Sequence, residues 1–109
     1  MNIAELEPRA DEAAELLGAM SNPKRLLILC HLLGEELSVG ELSERVELAQ
    51  SPLSQHLSKL RALKLVATRR DGQMILYRLA SDSVARVLTT LHGIYCAPGA
   101  KDRSRTKGK

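Results

Sequence analysis

Tryptophan and phenylalanine are absent from this chain, and tyrosine occurs only twice. So few aromatics leave no platform for stacking splayed bases, the usual route to single-strand and RNA recognition. The core must instead be built from Leu, Val, Ile and Ala, which favours packed helices. Long apolar runs are missing as well. The longest, Leu26–Leu33, includes Cys30 and His31 and is far too short to span a bilayer. Nothing near the acidic start has the form of a signal peptide, so a cytoplasmic protein without membrane association is expected. Cysteine is scarce: Cys30 and Cys96 lie too far apart for a C-x-x-C redox motif or a zinc ribbon. In the cytoplasm such thiols stay reduced unless they are used.

What is present fits one small domain. The chain has 109 residues, 44% apolar and 27% charged, enough for a modest core but hard to divide in two. Its net charge of +3 says less than the distribution of that charge. Residues 1–22 and 35–47 each carry net −4, whereas 59–78 carry +5 and 97–109 carry +4. Positive charge is thus gathered on the third quarter of the chain and the tail, as a nucleic-acid face requires, although a charge cluster is also a common form of solvated surface.

Residues 1–20 read as one Ala- and Glu-rich helix, with Ala10, Ala13, Leu17 and Met20 along one side. Asn22-Pro23 supplies a cap and a first-turn proline for the next helix, PKRLLILCHLL, which is apolar nearly all round and is expected at the centre. Gly34 closes it. Ser38-Val39-Gly40-Glu41 is a capping-box pattern opening a short helix at 39–46. Ser51-Pro52 repeats the cap-then-proline signal and opens a helix whose Leu53, Leu57 and Leu60 form a stripe that must be buried.

The other face of that helix carries Gln50, Ser51, Ser54, Gln55 and Ser58, then Lys59 and Arg61. Amides and hydroxyls suit base edges in a major groove, and cations suit phosphates. His56 can be read with this set or as a structural hydrogen-bonder inside the helix-turn-helix. Two β-favouring runs, Val66–Arg70 and Gln73–Leu79, flank Asp71-Gly72, a hairpin signal. Arg69 and Arg70 at its tip can reach phosphates or the minor groove. Ser81 caps a final helix at about 82–96 with an apolar stripe of Val84, Val87, Leu88, Leu91, Ile94 and Tyr95. With the first helix, it is expected to form a homodimer interface.

The predicted fold is therefore mainly α with a small β-hairpin wing: a five-helix winged helix-turn-helix over 1–96, followed by a disordered basic tail at 97–109.

This order of elements, with Asn22-Pro23-Lys24-Arg25-Leu26 and Ser54-Gln55-His56-Leu57-Ser58-Lys59-Leu60, resembles the ArsR/SmtB family of bacterial repressors over about residues 10–96. The resemblance implies a homodimeric repressor that binds a pseudo-palindromic duplex operator and releases it when an inducer binds; it implies no catalytic residues and no cofactor.

The departures narrow the inducer. Metal-sensing members carry paired cysteines where this chain reads Glu36-Leu37-Ser38-Val39-Gly40. Others bind zinc at the ends of the last helix, where only Asp82 and His92 remain here. Two scattered ligands do not make a four-coordinate site, so no metal site is expected.

The pair Cys30 and Cys96, with the flanking segments Met20–Cys30 and Ile94-Tyr95-Cys96, is similar to that of the BigR, SqrR and YgaV subgroup. There the two corresponding cysteines form a disulfide or polysulfide bridge in response to reactive sulfur or oxidant. Read on its own, Cys30 in an apolar helix is equally a small hydrophobe. Alternatives are a family member sensing metal at an unconventional site, structural cysteines with another inducer, a protein-interaction module, and a thiol enzyme, for which no motif speaks.

Overall fold

The computed structural model describes residues 1–96, so the expected tail at 97–109 lies outside the described residues. The elements run α1 (Ile3–Leu6), a 3-10 turn (Glu7–Arg9), α2 (Ala10–Met20), α3 (Pro23–Leu32), β1 (Leu37–Ser38), α4 (Val39–Val46), α5 (Gln50–Ala62), β2 (Val66–Asp71), β3 (Met74–Leu79) and α6 (Asp82–Tyr95). Helices α2 to α6 and a small antiparallel sheet make a winged helix-turn-helix.

The single helix expected over residues 1–20 is broken. Pro8 lacks an N–H and its ring clashes with the preceding turn, so the chain passes through the 3-10 turn before α2 begins. The inward face of α2 is also shifted: Ala19 and Met20 are buried and Leu16 packs against the core, while Leu17 is 55% exposed. Helix α3 starts as expected, with the Asn22 side chain accepting from the Lys24 and Arg25 amides. It is central on one side only. Ile28, Leu29 and Leu32 are buried, but Leu27 and Leu33 are exposed.

The capping box of α4 is complete: Ser38 Oγ accepts from the Glu41 amide, and the Glu41 carboxylate accepts from the Ser38 amide. Helix α4 ends on Glu47, a left-handed residue at φ +56°. A side chain there costs about 1–2 kcal/mol, and an acid at a helix C-terminus opposes the helix dipole. Glu47→Gly therefore raises stability by up to about 1 kcal/mol after the chain-entropy cost of glycine, read as a higher urea midpoint at unchanged m.

Helix α5 begins two residues earlier than the cap pattern predicts. Ala49 is the N-cap and offers no side chain, while the Leu53 amide donates to the Ala49 carbonyl at 3.1 Å. Ser51 and Pro52 both sit inside the first turn, where a missing N–H costs nothing. Leu53, Leu57 and Leu60 are fully buried as the stripe requires. At the other end the Lys64 amide donates to the Arg61 carbonyl and the Leu65 amide to the Leu60 carbonyl, both at 2.9 Å, with Lys64 at φ +64°. This is a Schellman closure sealed by the buried pair Leu60 and Leu65. It turns the chain from α5 into β2 within three residues.

The sheet order is β1-β3-β2. Asp71 pairs with Met74, so the hairpin loop is Gly72-Gln73 rather than Asp71-Gly72. Gly72 takes the positive φ of +64° that the first position of such a turn demands. Strand β1 was not expected: Leu37 pairs with Tyr77 and Ser38 with Leu76. Two residues are too few to show an alternating pattern. The stripe of α6 divides. Val84 and Leu88 enter the domain's own core, and Val87 packs against it, while Ile94 and Tyr95 stay exposed.

Candidate nucleic-acid interface and dithiol site

Burial of three leucines on one side of α5 fixes what its opposite side presents. Gln50, Ser51, Ser54, Gln55, Ser58 and Lys59 line one open surface of the helix. Arg61 in its last turn is exposed too. Seven of the eight residues expected on this face are thus free to meet a groove. The turn that aims the helix is pinned from two sides. Lys24 Nζ donates to the Val46 carbonyl at 2.6 Å, placing a cation at the C-terminus of α4. Ser43 Oγ donates to the Leu48 carbonyl.

The eighth residue, His56, is half-buried and engaged within the chain. Arg25 Nε donates to its Nδ1 at 3.1 Å, and Arg25 Nη1 donates to the Ala19 carbonyl at 3.3 Å. This link joins α3 to α5, which fits the structural role for His56. Burial, then the charges of Arg25 and Lys59, hold the imidazole below its ordinary value of 6.5. An acceptor nitrogen cannot carry a proton. The unfolded chain therefore takes up the proton first as pH falls, and folding stability drops from about pH 6.5 downward through the depressed native value. In His56→Gln, which keeps an acceptor with nothing to protonate, urea midpoints at pH 7.5 and 5.5 differ by less than in wild type.

In the wing the two tip arginines part company, because neighbours on a strand face opposite sides. Arg70, opposite Ile75, is exposed and shares the face of Thr68 and the buried Val66. Arg69, opposite Leu76, is held by Glu36: Arg69 Nε donates to Glu36 Oε1 and Oε2 at 2.9 and 2.8 Å, and Nη2 lies 2.8 Å from Oε1. Arg25 and Glu36 are the residues that sequence reasoning did not single out. Arg25 stood inside the quoted Asn22–Leu26 motif, and Glu36 only in the Glu36–Gly40 segment quoted for the cysteines it lacks.

Cys30 lies in the last turn of α3, where its carbonyl accepts from Leu33, and Cys96 is the C-cap of α6. Both are exposed free thiols, so Cys30 is not the buried hydrophobe that its apolar neighbours suggested. Partial burial and then the proximity of Cys96 push the Cys30 thiol up from its ordinary value. Two cysteines remote in sequence are thus near enough for one to act on the other, and Cys30, in the last turn of its helix, is disfavoured as thiolate. Among the described residues, no three of His, Cys, Asp and Glu are grouped to hold a metal ion. Asp82 and His92 stand at opposite ends of α6, roughly 15 Å apart at 1.5 Å per residue. No helix among them is long and apolar enough to cross a membrane.

Comparison with known proteins places this geometry. The model described as bacterial regulatory protein, arsR family, matches residues 22–68. The transcriptional activator HlyU of Vibrio cholerae is 52% identical over 88% of this chain and 89% of its own. A structure titled reduced HlyU superposes with a TM-score of 0.79 over 85% of this chain and 98% of that one. The transcriptional repressor BigR from Xylella fastidiosa is 41% identical, with a TM-score of 0.84 over 90% of this chain and all of that one. The regulator YgaV of Escherichia coli is 45% identical over 86% of this chain and 96% of its own.

Proposed function

The chain belongs to the arsR family of bacterial regulatory proteins, and from that premise we propose that it is a dimeric repressor released from its operator by a Cys30–Cys96 dithiol switch. It is a DNA-binding transcriptional regulator and not an enzyme. Helix α5 reads the major groove of a half-site with Gln50, Ser51, Ser54, Gln55 and Ser58, while Lys59, Arg61 and Arg70 hold phosphates or the adjacent minor groove. A second copy of the chain covers the apolar surface left on α2 and α6, where Leu17 is 55%, Ile94 51% and Tyr95 74% exposed. Residues 1–96 form the DNA-binding and dimerising unit, and the basic tail adds nonspecific phosphate attraction in the cytoplasm, where the operator is.

One observation carries the switch: the chain's two cysteines, on different helices, are exposed and close enough for Cys96 to raise the Cys30 thiol. Cys96 takes the outer sulfur of a small-molecule persulfide and releases the corresponding thiol. Cys30 then attacks the Cys96 sulfur and releases hydrogen sulfide, leaving a disulfide. An oxidant that accepts two electrons and two protons reaches the same bridge, and further sulfur lengthens it. The bridge ties α3 to the dimer helix α6 and alters the spacing of the two recognition helices, which a two-fold site reads at one-turn separation.

The DNA-binding part is tested by letting the full-length wild type select duplexes from a random library. A palindromic sequence should emerge, bound with an affinity that falls steeply with salt as counterions are released. The switch is tested on that duplex with and without a persulfide donor.

A further inference from the structure

The bidentate grip of Glu36 on Arg69 spans the whole sheet. Glu36 directly precedes β1, β1 pairs with β3, and Arg69 is on β2, so the ion pair crosses over β3 and joins the two edge strands. Edge strand β1 is anchored, with Leu37 buried at 1% exposure and Ser38 capping α4. Edge strand β2 is rooted in the core at Val66 and paired with β3 as far as Asp71, but its last three residues are exposed. The Arg69 hydrogen bonds, and then the charge of Arg78 on β3, hold the Glu36 carboxyl below its ordinary value. Three charges thus occupy the face of the wing opposite Arg70, around an ion pair that ties the exposed end of the wing's outer strand to the residue preceding β1.

We infer that Glu36 is a positioning residue for DNA binding, setting the pitch of the wing through Arg69 so that Arg70 alone meets the phosphate. The inference rests on the DNA-binding reading above. It differs from a direct phosphate role for Arg69 in the sign of one result. Removing an acid beside a nucleic-acid face ordinarily strengthens binding. If Glu36 positions the wing, Glu36→Gln weakens binding instead.

The experiment measures affinity against salt for the full-length protein on a duplex selected by wild type from a random library. Glu36→Gln and Arg69→Gln are expected each to weaken binding about fivefold, the size of effect a well-formed exposed ion pair can carry. Both should leave the salt slope unchanged, and the double variant should be no weaker than either single one. Arg70→Gln should weaken binding and reduce the slope by about one phosphate contact. The charge-exchanged double variant Glu36→Arg, Arg69→Glu should recover most of the affinity, which no phosphate-contacting Arg69 would allow. Melting temperatures stay close to wild type because exposed pairs contribute little to folding. Tighter or unchanged binding by Glu36→Gln, a lower salt slope in Arg69→Gln, or no recovery on charge exchange each overturns the inference while leaving the DNA-binding reading intact. If wild type selects no duplex at all, that reading falls and takes this inference with it.

Discussion

A small-molecule persulfide donor is expected to lower the affinity of the wild-type protein for its operator at least about tenfold, with no response from Cys30→Ser or Cys96→Ser. A tenfold loss needs the bridge to disfavour the binding-competent dimer by only about 1.4 kcal/mol, a small demand on a covalent tie between α3 and α6. The thiols are exposed, so the donor needs no pocket. Dithiothreitol should restore binding, and mass spectrometry of the released protein should find Cys30 and Cys96 joined within one chain. Because thiolate is the nucleophile and the Cys30 thiol is pushed up, closure of the bridge speeds up as pH rises. A wild-type complex that survives the donor overturns the switch and leaves the regulator standing.

The largest loss of stability is expected from Leu57→Ala. Leu57 is 1% exposed in the centre of α5's buried stripe, between Leu53 and Leu60 at 0%. Truncating such a leucine removes its transfer free energy and leaves a cavity, together about 3–4 kcal/mol. For a domain of this size that lowers the melting temperature by roughly 15–25 °C. Ser58→Ala, one residue further along and exposed, changes stability by no more than about 0.5 kcal/mol, yet removes a hydroxyl from the proposed reading face. Thermal melts of the two variants separate the helix's two faces. Equal losses would contradict the burial that orients α5.

Much of this was legible in the chain because it is written in local signals. The Asn22 cap, the Ser38 and Glu41 box and the 3–4 spacing of Leu53, Leu57 and Leu60 each specify geometry within one or two turns, and each holds in the fold. What escaped depends on contacts between elements. Pro8 splits the first helix, and on α2 Leu17 is exposed where Leu16 packs. The strand at Leu37–Ser38 exists only because β3 is there to pair with it. Arg69 looked like a free cation and His56 could be read two ways, and tertiary partners, Glu36 and Arg25, engage both. For Leu37, His56 and Arg69 the neighbour in space is tens of positions away in sequence.

The three-residue joint between α5 and β2 has a consequence for timing. With Leu60 and Leu65 both buried and Lys64 held in its turn, the base of β2 is fixed to the end of α5, while the exposed end of the strand is held through Glu36. In the proposed complex, a displacement that lifts the helix from its groove is therefore expected to carry the root of the wing with it, so that contacts with bases and with backbone loosen in the same stroke rather than one after the other.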